Sequence, residues 1–208
     1  MNPFPFKSKL ILASQSPRRK QLLTEAGYLF QVMAPADSVE CGACSSQSPQ
    51  GLVAESAFLK AKCIAAEFDS AVVLAADTVA ECQGQILGKP VDQQHAEQML
   101  RLMSGRTHSV FTGVTLWHRP SDCFLTKIEQ TVLEMDELAE DQLQGFLESD
   151  EWVGKAGAFG YQDGLDWLHI RQGLASNVVG LPIERLPAWF DELQRQVSSD
   201  GLERSADH

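Results

Sequence analysis

The chain has 208 residues, of which 44% are hydrophobic and 22% charged, and its formal net charge is −11. This composition is typical of a soluble globular protein, and the negative charge disfavours nucleic acid polymers as partners. Because there is no run of 18 apolar residues and no signal-peptide pattern, we expect neither a membrane partner nor secretion. Five cysteines, an odd and scattered set, indicate reduced thiols in the cytoplasm.

The length suits one domain with a substantial core, since a protein of this size buries roughly 70% of its unfolded surface. We predict a loose N-terminal lead at residues 1–8, a single domain at 9–197 and a flexible polar tail at 198–208. A stretch rich in Ser, Cys and Gly at 39–51 is typical of a surface loop.

The first elements are a strand and a helix. An apolar run at 9–13 predicts the strand. The next segment predicts a helix over 20–26, with Ser16 as N-cap, Pro17 as the first residue and Gly27 after the end. Further on, the continuous apolar run at 71–76 predicts a strand that is covered on both faces and ends at Asp77.

The second half continues this alternation. Helices are predicted at 92–103, 138–147 and 182–197, paired strands at 107–117 and 123–135, and a short strand at 167–171. A glycine-punctuated loop is predicted at 154–164. Strands that alternate with helices indicate an α/β fold with a central sheet.

The segment at 14–19, SQSPRR, joins the first strand to the first helix. A helix N-terminus offers backbone N–H groups and partial positive charge to an anion, and arginine matches phosphate oxygens with two parallel donors. Arg18, Arg19 and Lys20 oppose the helix dipole, which favours a bound anion. The alternative is a capped surface helix with solvated arginines, and the glycines of a Walker loop are absent.

Asp77 follows the apolar strand, at a position where open α/β sheets bind ligands. A carboxylate there can hold a divalent metal or accept a proton from water. The alternative is an aspartate that forms a turn before Thr78.

Two lysines and a loop could complete such a site. Lys60, in a helical segment, and Lys89, before a proline, can each bind phosphate or be ordinary solvated lysines. In the loop, glycines allow close approach to a ligand and Gln162 offers an amide to a base edge, whereas a plain flexible loop is the alternative. Cys41 and Cys44 lack the further ligands of a zinc site. His108 is expected to be structural.

Taken together, these segments resemble the Maf family of nucleotide pyrophosphatases. The resemblance rests on LILASQSPRR at 10–19, Lys60-Ala61 in a helix, AADTV at 75–79, LGKP at 87–90, SGRTHSVFTGV at 104–114, GKAGAFGYQ at 154–162 and NVVGLP at 177–182. It implies an α/β fold related to the inosine-triphosphate pyrophosphatases, with a central mixed β-sheet flanked by helices and a nucleotide cleft. It also implies a homodimer and hydrolysis between the α- and β-phosphates that depends on a divalent metal cation, Mg²⁺ or Mn²⁺.

The resemblance also assigns roles to positions of this chain. Asp77 would accept the proton, and Asp77 with Glu40 would hold the metal. The phosphates would be bound by Ser14, Ser16, Arg18, Arg19, Lys60 and Lys89. Arg18, Thr78 and Gln162 match the branch that acts on dTTP and UTP, whereas the branch that acts on 7-methyl-GTP has Trp, Gln and Glu there. Two departures are the loop sequence GYQDG and the cysteines at 37–51.

The resulting hypothesis is a nucleoside triphosphate pyrophosphatase that converts dTTP or UTP, and modified pyrimidine nucleotides, to monophosphate and pyrophosphate. Its biological role would be nucleotide-pool cleansing or cell-division arrest. Two alternatives stay open. One is a nucleotide-binding regulator of cell division that needs no catalysis and no Asp77, and the other is a phosphatase that removes the terminal phosphate.

Overall fold

A computed structural model of the protein describes residues 3–35 and 48–206. Its strands are β1 (Leu10–Leu12), β2 (Phe30–Val32), β3 (Ala71–Cys82), β4 (Gln85–Leu87), β5 (Thr107–Arg119), β6 (Phe124–Met135) and β7 (Leu168–Gln172). They form one sheet in the order β2-β1-β3-β5-β6-β7, with β4 also paired to β3. β1 runs parallel to β2 and β3, and the other pairs are antiparallel. The predicted central mixed sheet is confirmed.

Helices flank this sheet. They are α1 (Pro17–Glu25), α2 (Pro49–Ala65), α3 (Gln93–Met103), α4 (Glu140–Glu148), α5 (Ala175–Val179) and α6 (Leu186–Ala206). Short 3-10 turns occur at Ala156–Ala158, Tyr161–Asp163 and Ile183–Arg185. None of the helices in the described ranges combines the length and apolar character that a bilayer span requires.

The core covers both faces of the first strands. Leu10 and Leu12 of β1 pack with Leu23 of α1 and Phe190 of α6 on one face. Ile11 points to the other face, where it packs with residues of α2. Alternate residues of β1 and β3 therefore both find apolar partners, which explains their unbroken apolar runs. A further cluster packs α3 and α4 against the beginning of β5 and the end of β6.

The predicted end of the third strand at Asp77 is wrong, because β3 continues to Cys82. β5 pairs with β3 from residue 71 to residue 81 and supplies backbone partners well beyond the apolar run. On its other edge, β3 pairs with β1 at 72–74 and with β4 at 80–82. Asp77 and Thr78 consequently lie in mid-strand, opposite the interval between β1 and β4. The apolar run stops there because this part of β3 borders a cavity.

A glycine lets α2 lie close to the sheet beside Asp77. Gly113 of β5 is the register partner of Asp77. A Cβ atom at Gly113 would lie 2.3 Å from the carbonyl oxygen of Val53 in α2. Only a residue without a side chain permits this approach. The close packing brings the next turns of α2, which carry Lys60, over the middle of β3.

The segments on either side of the predicted domain at 9–197 continue its packing and its last helix. In the predicted loose lead, the rings of Phe4 and Phe6 lie 5.2 and 6.5 Å from that of Phe190. At the other end, α6 continues beyond 197, where the sequence predicts a tail, to Ala206. The hydroxyls of Ser198 and Ser199 donate to carbonyl oxygens of the same helix, so these polar residues do not interrupt it.

Candidate active site

A cavity of about 350 Å³ opens where the chain leaves β1 and enters α1. Its walls are the segment at 14–19, the middle of β3, the loop at 153–162 and the end of α5. Nine residues with a predicted role line it: Ser14, Ser16, Arg18, Arg19, Lys60, Asp77, Thr78, Lys89 and Gln162. Glu40, the tenth, lies outside the described residues, as do Cys41 and Cys44.

The first wall is the N-terminus of α1. The Ser16 hydroxyl oxygen accepts a hydrogen bond from the backbone N–H of Arg19 at 3.4 Å, as an N-cap does. The Ser14 hydroxyl oxygen accepts from the backbone N–H of Ser16 at 3.2 Å. Pro17 is the first helical residue and Gly27, with φ +79°, follows the helix, so both predicted boundary signals are present. Two hydroxyls and the positive end of the helix thus border the cavity.

Arg19 is tied to three parts of the fold. Its Nε donates to the carbonyl oxygen of Gly180 at 2.8 Å, Nη1 to Oγ of Ser14 at 3.3 Å, and Nη2 to Oγ1 of Thr78 at 3.0 Å. Three of the five donors of a guanidinium are therefore directed to protein acceptors. The position of this positive charge is set before any ligand arrives.

Arg18 reaches across to the loop. Its Nη2 donates to the carbonyl oxygen of Gly154 at 3.0 Å. Burial lowers the pKa of Arg18, and the nearby carboxylate of Asp163 partly opposes that shift. Asp163 in turn forms an ion pair with Lys155, and both side chains are largely buried. The ion pair connects the two ends of the loop that faces Arg18.

Asp77 and Lys60 form the ion pair at the floor of the cavity. Nζ of Lys60 lies 2.8 Å from Oδ1 of Asp77, and their side chains are 6% and 24% exposed. Oδ2 of Asp77 makes no hydrogen bond to another described residue. Lys89 also lines the cavity; it is exposed and has no hydrogen bond or ion pair to any residue within 3–35 and 48–206. The carboxylate is thus oriented on one side and open on the other.

The cavity is strongly cationic for a protein with a net charge of −11. Five basic side chains line it: Arg18, Arg19, Lys60, Lys89 and Lys155. Among the residues that the structure describes, Asp77 is the one acidic residue in the lining. A concave surface of one sign concentrates ions of the opposite sign. The cavity is therefore suited to a polyanion such as a chain of phosphates.

The carboxylate of Asp77 also fits a magnesium-type cation. In the described ranges, no three or more His, Cys, Asp or Glu side chains surround a common point that could hold a metal. Mg²⁺, however, is commonly bound by only one or two carboxylates when substrate phosphates supply the other oxygens. The Asp77 carboxylate would supply one such ligand beside the basic wall. The predicted second ligand, Glu40, falls outside the described residues.

Residues 9–193 match the family described as Maf-like protein. The chain belongs to the Maf family. Its Maf relatives include the dTTP/UTP pyrophosphatase of Rhodopirellula baltica, which is 53% identical over 92% of this chain and 85% of that protein. Proteins of the same name from Symbiobacterium thermophilum (41% identity, 85% of this chain and 90% of that protein) and Dictyoglomus thermophilum (35%, 90% and 97%) are also similar.

Among solved structures, a HAM1 protein from Coxiella burnetii aligns with a TM-score of 0.42 and 17% identity, over 62% of this chain and 73% of that one. A dITP/XTP pyrophosphatase from Mycobacterium abscessus aligns with a TM-score of 0.37 and 12% identity, over 91% and 97% of the two chains. Both likenesses are too low to support an argument about function.

The Maf loop at 154–162 presents the Gln162 side chain over a glycine. A Cβ atom at Gly160 would lie 2.8 Å from Nε2 of Gln162 and 2.3 Å from Oδ2 of Asp163. The glycine therefore leaves the space that these two side chains occupy. Lys155 belongs to the same loop. The sequence alone does not mark it as a site residue, because a lysine among glycines is ordinary on a surface. Its partner Asp163 is eight residues away in the chain and beside it in the fold.

His108 lies behind this loop, outside the cavity lining of the Maf site. Its imidazole is 3% exposed and packs edge-on against Phe159, with ring centroids 5.3 Å apart. Burial lowers the pKa of His108 to about 4, since the charged form is poorly solvated there. The ring is therefore neutral at pH 7, in agreement with the expected structural role.

Proposed function

We propose that this Maf protein is a nucleoside triphosphate pyrophosphatase that hydrolyses dTTP and UTP to monophosphate and pyrophosphate. The observation that carries the proposal is the juxtaposition of one carboxylate, Asp77, with five basic side chains in a single cavity. The basic groups match a triphosphate, and the carboxylate supplies a proton acceptor. The three dTTP/UTP pyrophosphatases similar to this chain support the same reaction.

In the proposed reaction, Oδ2 of Asp77 accepts a proton from a water molecule as the water oxygen bonds to the α-phosphorus. The bond from the α-phosphorus to the bridging oxygen breaks, and its electron pair leaves with pyrophosphate. Lys60 keeps Oδ1 of Asp77 in place during this step, because its Nζ already lies 2.8 Å from that oxygen. Mg²⁺ or Mn²⁺, bound by Asp77 and the phosphates, would add charge neutralisation at the phosphates.

The basic wall stabilises the charge that develops on the leaving group. Arg19 is held by three protein acceptors, and Arg18 is anchored at Gly154, so neither guanidinium has to be reoriented when a triphosphate binds. Fixed donors of this kind are typically worth about 3 kcal/mol each in transition-state stabilisation. Lys89, which has no ion-pair partner among the described residues, contributes a further positive charge.

The proposed preference for pyrimidine nucleotides rests on Arg18, Thr78 and Gln162, which all line the cavity. The Gln162 amide has both donors and an acceptor and can hydrogen-bond to the edge of a thymine or uracil. Modified pyrimidine triphosphates would be accepted if the added group points to solvent. A role in cleansing the nucleotide pool or in arresting division, a cytoplasmic location and a homodimer belong to the same proposal.

A panel of triphosphates tests the proposal. The purified protein is incubated with dTTP, UTP, CTP, dATP, GTP, 5-methyl-UTP and 7-methyl-GTP, with Mg²⁺, with Mn²⁺ or with excess chelator, and products are separated by ion-exchange chromatography. We expect dTMP or UMP with equimolar pyrophosphate from the first two, and little product with chelator. Diphosphate with orthophosphate would instead indicate removal of the terminal phosphate. Tight binding of dTTP with no product would favour the non-catalytic regulator.

A further inference from the structure

A row of polar side chains lies behind the basic wall of the cavity. Thr112 of β5, Thr131 of β6 and Asn177 of α5 are each 0% exposed. Thr78 connects this row to the cavity, because its Oγ1 lies 2.9 Å from Oγ1 of Thr112 and accepts from Nη2 of Arg19 at 3.0 Å. A buried polar group is costly unless it is hydrogen-bonded, so this row of contacts requires an explanation.

The direction of each hydrogen bond in this row can be assigned. The Arg19 guanidinium can only donate, so the Thr78 oxygen accepts from it. The backbone carbonyl oxygen of Asn177 can only accept, so Thr112 donates to it at 3.0 Å. Thr112 has a single proton, which is then used, and the Thr78 hydroxyl must donate to Thr112. The chain runs one way, from Arg19 through Thr78 and Thr112 to the Asn177 carbonyl.

The far end of the chain is anchored in the core. The Asn177 side-chain Nδ2 donates to the carbonyl oxygen of Val110 at 3.2 Å and to Oγ1 of Thr131 at 3.0 Å. Thr131 donates to the carbonyl oxygen of Leu174 at 2.9 Å and accepts from the backbone N–H of the same residue. These contacts join β5, β6 and α5. They hold the backbone carbonyl of Asn177 within hydrogen-bonding distance of Thr112. Hydrogen bonds in such a chain strengthen one another.

We infer that Thr112 is a positioning residue of the active site. By accepting the proton of Thr78, it turns a lone pair of Thr78 towards Arg19 and so fixes the guanidinium against the cavity wall. Thr78 then influences the reaction through Arg19 as well as by lining the cavity. The inference deepens the proposed function and rests on it, because it presumes that Arg19 binds the triphosphate.

The decisive substitution is Thr112→Val, which keeps the shape of the side chain and removes the acceptor. The Thr78 hydroxyl then has to turn to another acceptor, and Arg19 loses its contact with Thr78. We expect the KM for dTTP to rise about tenfold, because Arg19 binds the triphosphate already in the ground state, and kcat to fall as well, because the charge on the leaving group is less well stabilised. Thr112→Ser retains the hydroxyl and should restore KM to within about twofold of the wild type.

Thr115→Val is the matched control. Thr115 is a buried threonine on the same strand, and its hydroxyl bonds to that of Thr126 at 2.9 Å, away from the cavity. It should carry a similar cost in stability without the change in KM. In addition, Thr112→Val introduced into an Arg19→Lys protein should leave the KM of that protein unchanged. A further tenfold rise there would show that Thr112 does not act through Arg19 and would overturn the inference.

Binding of inorganic tripolyphosphate, measured by calorimetry in the same variants, tests the role of Thr112 separately from the proposed hydrolysis of dTTP. Weaker binding in Thr112→Val than in Thr115→Val, with no hydrolysis of dTTP by the wild type, supports the inference and refutes the proposed function. Hydrolysis by the wild type, with equal KM and equal tripolyphosphate affinity in the two variants, overturns the inference alone. Failure of the wild type to bind tripolyphosphate overturns both.

Discussion

Nζ of Lys60 lies 2.8 Å from Oδ1 of Asp77, so a helix on one face of the sheet orients a carboxylate in the middle of a strand. The lysine is almost completely buried, whereas the aspartate is 24% exposed to the cavity. The carboxylate therefore has a fixed oxygen next to the lysine and an accessible oxygen next to the substrate space. Substitutions of Asp77 and of Lys60 therefore affect the site in different ways.

Replacement of Asp77 by asparagine should remove turnover and preserve binding. Asparagine has the same shape and can still accept a hydrogen bond from Lys60, but it cannot take a proton from water at neutral pH. We expect kcat for dTTP to fall by about 10²- to 10⁴-fold. The dissociation constant of dTTP, measured by calorimetry with excess chelator so that no metal links Asp77 to the phosphates, should change by less than about threefold. Turnover close to that of the wild type would contradict the proposed role of Asp77.

A matched control for this variant is Asp191→Asn. Asp191 lies on the exposed face of α6 and does not line the cavity. The substitution Asp191→Asn removes one negative charge away from the cavity, so it measures any general effect of net charge on activity. We expect wild-type kcat and KM.

Replacement of Lys60 by methionine should affect both stability and turnover. The apolar side chain fills a similar volume but leaves the partly buried Asp77 carboxylate without its cation. We expect the free energy of unfolding to fall by about 2 kcal/mol, less than for a fully buried pair because Asp77 is 24% exposed. The value of kcat should fall by at least about tenfold, since Oδ1 is no longer held.

Lys62→Met provides the comparison, because Lys62 is exposed on the same helix. Urea denaturation and steady-state kinetics of the two variants should differ clearly. Equal stability and equal kcat in both would mean that the ion pair between Lys60 and Asp77 has no energetic role.

Gly113 should tolerate no side chain. An alanine Cβ would lie 2.3 Å from the backbone oxygen of Val53, so α2 would have to move away from β5. We expect Gly113→Ala to lose about 3 kcal/mol of unfolding free energy. The activity of the folded fraction should also decrease, since α2 carries Lys60. Thermal and urea denaturation give the first quantity, and kinetics on the soluble protein gives the second.

Gly145→Ala is the contrasting substitution. A Cβ atom at Gly145, within α4, meets no atom within 4 Å. Alanine is a better helix former than glycine, so this variant should gain about 0.5–1 kcal/mol. If Gly113→Ala were equally stable, the close approach of α2 would not be required.

His108 should make the fold sensitive to mild acid. Its pKa is lowered from 6.5 to about 4 in the folded protein. Between these two values the unfolded chain binds a proton that the folded chain does not, so the free energy of unfolding decreases as the pH falls. At pH 5 the loss relative to pH 7.5 should be about 2 kcal/mol. His108→Phe cannot be protonated and should show a flatter profile in urea denaturation between pH 4.5 and 7.5. Parallel profiles would contradict this prediction.

Much of this fold follows from local patterns. The apolar run at 71–76 and the cap signals Ser16, Pro17 and Gly27 correctly indicated a buried strand and the first helix, because both are encoded by neighbouring residues. The nine predicted site residues within the described ranges all line one cavity. Their meeting point could be anticipated because the segments that carry them resemble those of a single family.

The remainder depends on contacts between distant segments. The apolar run predicts that β3 ends at Asp77, but pairing with β5 continues the strand to Cys82. β2 and α5 are too short to have a recognisable period. The link from Thr78 through Thr112 to Asn177 joins three elements, and each residue by itself is an ordinary polar residue in an apolar context.

The two arginines of the cavity also determine when a binding site can exist. Arg18 is bound to Gly154, 136 residues away, and Arg19 to Gly180, 161 residues away. A growing chain on the ribosome therefore cannot assemble the cavity until α5 has emerged, long after β1 and α1 are made. A ligand that fills the cavity can stabilise only the completed fold, by about 2.7 kcal/mol when its concentration is 100 times its dissociation constant. Nucleotide in the cell would thus protect finished molecules from unfolding and degradation while leaving partly synthesised ones unprotected.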